Sequence, residues 1–144
     1  MLFNRATKLL LEKSPARVVS HDWWTYQLVT AAGGTAVYDP VPSVRYRQHG
    51  ANASGSNAGL GARIDRMLMV ARGRFGTWNE MNISALRSVE GLLTRESARQ
   101  LAFFVRARQG DVLNRLTNLR RSGVYRQTLQ GNIALHLAAA LSKF

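Results

Sequence analysis

Two short stretches carry the side chains that could do chemistry. The first is His21-Asp22-Trp23-Trp24, which concentrates two of the three tryptophans and one of the three histidines in four consecutive residues. An acid at the start of a helix has two readings. Asp is a preferred N-cap, with the tryptophans following it simply entering the core. Alternatively it is a carboxylate at the mouth of a cleft, where the positive end of the helix favours an anion. Neighbouring residues on a helix diverge by about 100°, so Trp23 and Trp24 cannot both face one core. One of them belongs at an edge or cavity, where an indole face offers a platform for the C–H face of a sugar ring.

The second stretch is Arg45-Tyr46-Arg47-Gln48-His49-Gly50, at the end of an expected strand and before a loop over residues 48–61 rich in Gly, Ser and Asn. A lone histidine in such a loop is most often a solvated loop residue. Strand ends that lead into loops are also where α/β domains place ligands, and Arg and His suit a diphosphate oxygen or a divalent ion.

The elements that must hold these groups follow from pattern. Met1-Leu2-Phe3 reads as the stub of a strand, and Asn4 caps a helix over 5–13 that Pro15 ends. A helix opens at His21 or Asp22 and stops at Gly33-Gly34. Residues 35–38 read as a short strand, and 43–47 alternate and read as a second, with Asp39-Pro40 and Val41-Pro42 in the turn between them. From about Leu60 the period becomes helical, with stretches near 64–71, 77–93, 97–108, 112–121 and 124–144.

The totals set bounds. A chain of 144 residues is one domain by length. There is no cysteine, which removes disulfides, thiolate metal sites and cysteine nucleophiles. No apolar run reaches the roughly 18 residues of a membrane span. The net charge of +12 points to an anionic partner. Residues 1–57 carry six Lys and Arg against three Asp and Glu, and residues 58–144 carry fourteen against five, so the excess lies in the second part.

The ordered set His21-Asp22-Trp23-Trp24, Gly33-Gly34, Tyr38-Asp39-x-x-Pro42 and Tyr46-Arg47-Gln48-His49-Gly50-x-Asn52 resembles the C-terminal part of family 2 glycosyltransferases, in particular the bacterial rhamnosyltransferase-like enzymes of surface polysaccharide synthesis. The helical tail with Arg120-Arg121-Ser122-Gly123-Val124-Tyr125 is similar to the C-terminal helices of that branch. The resemblance implies an α/β fold class. Residues 1–59 would be the C-terminal portion of a GT-A type, Rossmann-like catalytic domain, and 60–144 a basic, mostly α-helical region.

The resemblance also implies an inverting transfer of a sugar, rhamnose being one candidate, from a nucleotide-sugar donor to a glycan or lipid-linked acceptor. Asp22 takes the position of the catalytic base, with His21, Trp23 and Trp24 on the acceptor side. Arg47, Gln48 and His49 take the position that closes over the donor diphosphate, with His49 also a candidate metal ligand. A divalent cation, Mg or Mn, is implied for such an enzyme, yet the chain has no Asp-x-Asp motif and no Gly-rich nucleotide loop. The expectation is therefore a fragment without the donor-binding half, inactive alone.

The basic tail has a separate reading as a binding module. Few aromatics lie among its arginines, and no helix-turn-helix or zinc spacing is present, which argues against nucleic acid. Helices with Arg on one face and Leu, Val and Phe on the other suit an anionic membrane surface. With a lipid-linked acceptor, that reading places the chain in the cytoplasm, peripheral to the inner face of the cell membrane.

Overall fold

The computed structural model describes residues 1–14, 17–41 and 74–144, with side chains in the last segment from residue 76. Among the described residues every regular element is helical. These are α1 (Arg5–Leu11), α2 (His21–Ala31), α3 (Arg74–Ser88), a 3-10 turn (Glu90–Leu92), α4 (Arg95–Arg106), α5 (Val112–Arg121) and α6 (Leu129–Ala140).

Four of the described helices start where a side chain satisfies one of the first free amides. Asn4 Oδ1 accepts from Thr7 N at 3.0 Å, Thr94 Oγ1 from Ser97 N at 3.1 Å, Asp111 Oδ1 from Asn114 N at 2.8 Å and Thr128 Oγ1 from Gly131 N at 3.1 Å. Such caps satisfy donors that the helix itself leaves open.

Helix α2 stops at the glycine pair by a defined geometry. Gly33 has φ of +85°, its amide bonds Thr30 O, and the Gly34 amide bonds Val29 O at 2.8 Å. This is a Schellman closure, with glycine at the left-handed position. A Cβ on Gly34 would lie 2.7 Å from Val29 Cγ1 and 2.9 Å from Val29 O, so both glycines are required, for different reasons.

Two apolar clusters form. Trp24, Leu28, Ala85 and Val89 are buried together, with Leu10, Leu11, Val18, Leu86 and Leu92 against them, so α1, α2 and α3 share one core. Ala107, Leu119, Leu135, Ala139 and Phe144 form the second, where α4, α5 and α6 meet. Phe104 and Phe144 close it with an edge-to-face contact at 5.7 Å. The two halves are tied at Thr94, whose amide donates to Ala31 O at 2.9 Å. They are tied again at Arg108, which pairs with Glu80 at 2.8 Å and donates to Gly76 O at 3.3 Å.

The α/β expectation is corrected here. The described residues contain no strand, and a Rossmann-like, GT-A type fragment does not fit an all-helical arrangement. The two described stretches that read as strands, 1–3 and 35–38, form no regular secondary structure. Alternation supplies a strand's side-chain pattern, but a strand also needs a neighbour for its backbone N–H and C=O groups, and a sheet face to bury. Leu2, Val37 and Tyr38 lie almost fully in solvent, so neither condition is met. The expected strand over 43–47, the loop over 48–61, the helix near 64–71 and the boundary at 59/60 lie outside the described residues.

Candidate functional site

Asp22 lies in the first turn of α2, not at its cap. The cap position belongs to Ser20, in an extended conformation and with no side-chain capping bond. The helix begins with Trp24 N donating to Ser20 O at 2.9 Å, and Thr25 Oγ1 donates to His21 O at 2.8 Å. The Asp22 carboxylate is therefore not engaged in capping. It and His21 are exposed, on a rigid turn that faces an open cleft.

The cleft has a volume of about 480 Å³ and lies between the first residues of the chain and the start of α2. Its lining mixes polar residues, His21, Asp22, Thr25 and Ser14, with apolar ones, Met1, Phe3, Leu11, Val18 and Trp24. The chemistry that such an arrangement can perform is proton abstraction by Asp22 from a hydroxyl held against an apolar surface.

The tandem tryptophans divide as helix geometry demands. Trp24 is 2% exposed and its indole N–H donates to Ser14 Oγ at 2.8 Å, so its ring belongs to the core although it also contributes to the cleft lining. Trp23 is 37% exposed, but it points to α3, where it makes an edge-to-face contact with Trp78 at 6.3 Å. The structure thus brings His21, Asp22 and Trp24 to one cleft and leaves Trp23 on a neighbouring face. The indoles do not form a shared stacking platform.

Phe3 is the aromatic group that the sequence reading missed. It is half exposed and lines the cleft beside Asp22. Its signal in the sequence is an apolar tripeptide ahead of a capped helix, which gives no hint that the chain folds back over α2.

Arg47, Gln48 and His49, expected at the donor diphosphate, lie outside the described residues. Among the described residues no three His, Cys, Asp or Glu side chains come together in a way that could hold a metal ion. They supply no ligand set for the divalent cation that the resemblance implies. The role open to Asp22 is a proton transfer, which rests on the carboxylate alone.

No helix among the described residues is long and apolar enough to cross a membrane. Comparison with models of known protein families, with curated proteins and with solved structures finds no match to this chain.

Proposed function

We propose that this chain carries the acceptor side of an inverting sugar-transfer site, with Asp22 as the base. The observation that supports it is the placement of an exposed carboxylate on the first turn of α2, in the lining of a cleft that holds both polar and apolar residues. The ordered motif set of the sequence adds the reaction class. The reading takes nothing from the sheet that the sequence led us to expect.

In the step, the Asp22 carboxylate accepts the proton of an acceptor hydroxyl as that oxygen bonds to the anomeric carbon of the donor. The bond from that carbon to the diphosphate oxygen breaks, and the nucleoside diphosphate leaves with the electron pair. A hydroxyl is a weak nucleophile, and a positioned base contributes about 10²–10⁴-fold to such a step. Met1, Phe3 and Val18 offer the acceptor ring an apolar surface, and His21 and Thr25 offer hydrogen-bond partners beside the carboxylate. Donor contacts fall to Arg47, Gln48 and His49. With a lipid-linked acceptor, the place of action is the cytoplasmic face of a cell membrane.

The test compares the natural full-length protein with its Asp22→Asn variant, using nucleotide-sugars including dTDP-rhamnose and following release of nucleoside diphosphate. The expected result is a loss of transfer of at least about a hundredfold, with binding of the nucleotide-sugar unchanged. Turnover of the variant within a few-fold of the parent overturns the assignment, as does a parent that uses no nucleotide-sugar.

A further inference from the structure

Helix α6 is apolar on both sides, and the fold covers only one of them. Leu135 and Ala139 are buried against α4 and α5. Turned away from them, Leu129, Ile133, Leu137 and Leu141 recur at every fourth residue and are 77%, 53%, 58% and 69% exposed. The helix contains no charged residue. An exposed apolar stripe of this length on a helix ordinarily marks a surface that meets a partner. Between α5 and α6 the surface forms an open groove of about 450 Å³, with Leu116, Ile133, His136 and Leu137 among its lining.

The charge around this stripe is of one sign. From Val112 to Phe144 the chain has five Arg and Lys and no Asp or Glu. Their positions flank the stripe at both ends. Arg115 Nη2 donates to Ala140 O at 2.8 Å, at the end of α6, and Lys143 follows that end. Arg120 and Arg121 stand in the last turn of α5. Arg126 precedes α6, its amide donating to Asn132 Oδ1 and its carbonyl accepting from Asn132 Nδ2.

We propose that the α5–α6 face is a docking surface for an anionic lipid bilayer. The stripe from Leu129 to Leu141 enters the boundary between headgroups and acyl chains, and Arg120, Arg126 and Lys143 meet the lipid phosphates. Charge decides among the occupants. A second copy of this face would bring Arg120, Arg126 and Lys143 toward their counterparts with no acid from 112–144 between them, which like-charge repulsion opposes. A nucleic-acid duplex offers phosphates but nothing to cover three leucines and an isoleucine. An anionic bilayer offers both. This inference does not rest on the sugar-transfer reading: a chain that binds vesicles and transfers no sugar keeps the one and loses the other.

The test is co-sedimentation of the full chain with phosphatidylcholine vesicles and with mixed phosphatidylcholine–phosphatidylglycerol vesicles, at low and high salt. Binding to the mixed vesicles is expected to exceed binding to phosphatidylcholine by at least about tenfold and to fall as salt rises. The double variant Ile133→Ser/Leu137→Ser changes only exposed positions, so its circular dichroism is expected to match the parent, while its vesicle binding falls at least about tenfold. Arg120→Gln/Arg126→Gln is expected to keep weak binding but lose the preference for anionic lipid. The proposal is overturned by equal binding of the serine variant and the parent. It is also overturned by a dimer that the serine variant dissociates, or by tight duplex DNA binding without vesicle binding.

Discussion

The indole N–H of Trp24 donates to Ser14 Oγ at 2.8 Å and thereby ties the chain after α1 to the first turn of α2. Trp24 is buried, whereas Ser14 is half-buried at the cleft. The two ends of this bond differ in what their removal leaves behind. Ser14→Ala strands a buried donor, at a cost of about 1–3 kcal/mol although one oxygen is all that is lost. Trp24→Phe removes the donor itself and leaves a hydroxyl that water can reach, so its cost of about 2 kcal/mol comes mainly from lost packing. Urea denaturation of both variants checks the comparison. A Ser14→Ala variant as stable as the parent would show that the bond contributes nothing to α2.

Arg108 and Glu80 form a lopsided pair. The arginine side chain is 13% exposed and the glutamate 69%, with 2.8 Å between Nη2 and Oε1. The glutamate end is screened by water, so Glu80→Gln is expected to cost about 1 kcal/mol or less. Arg108→Ala also loses the bond to Gly76 O and the packing of the stem between α3 and the end of α4. It is expected to cost about 2 kcal/mol. Added salt should weaken the effect of Glu80→Gln more than that of Arg108→Ala. Equal losses in the two variants would mean that charge, and not packing, sets the contribution of Arg108.

What the sequence made legible, and what it hid, divides along the range of the interactions. Val112, Leu113, Leu116 and Leu119 marked a helix over 112–121, and the structure has it at Val112–Arg121. The stop at Gly33-Gly34 was equally plain, because a Schellman closure involves only residues 29–34. The divergence of Trp23 and Trp24 follows from the helical turn. Strand formation is different: residues 35–38 have strand-like composition, but no strand among the described residues pairs with them. The cleft was hidden for the same reason. Phe3 and Ser14 share a cleft with Asp22 because the start of the chain packs against α2, an arrangement that no local pattern encodes. Helix α6 was legible as apolar, but only the packing of Leu135 and Ala139 shows which side stays open.

Ser142 is the one described residue other than glycine with a positive φ, at 58°. It follows α6 as Gly33 follows α2: its amide bonds Ala139 O at 3.1 Å and the Lys143 amide bonds Ala138 O at 2.8 Å. The left-handed conformation costs a residue with a Cβ about 1 kcal/mol, a cost that glycine avoids. Glycine also widens the unfolded ensemble, which offsets part of that gain. Ser142→Gly is therefore expected to stabilise the chain by about 0.5 kcal/mol, read as a small rise in the urea midpoint. A decrease would show that the serine side chain contributes more than its backbone strain removes.

Phe3 and Trp23 separate the roles of two exposed aromatics near Asp22. Phe3 lines the cleft, and Trp23 meets Trp78 across α2 and α3. If the cleft takes a sugar, Phe3→Ala removes part of its apolar wall. The expected result is binding of an acceptor glycoside at least about fivefold weaker, with little change in stability because Phe3 is already half exposed. Trp23→Ala is expected to do the reverse. It loses an edge-to-face contact worth about 0.5–1.5 kcal/mol and the area that goes with it, while affinity for the glycoside holds. Titration of a panel of methyl glycosides as acceptor probes, followed by NMR, beside denaturation curves for both variants, distinguishes them. Loss of binding in Trp23→Ala with normal binding in Phe3→Ala would move the acceptor from the cleft to the Trp23–Trp78 face.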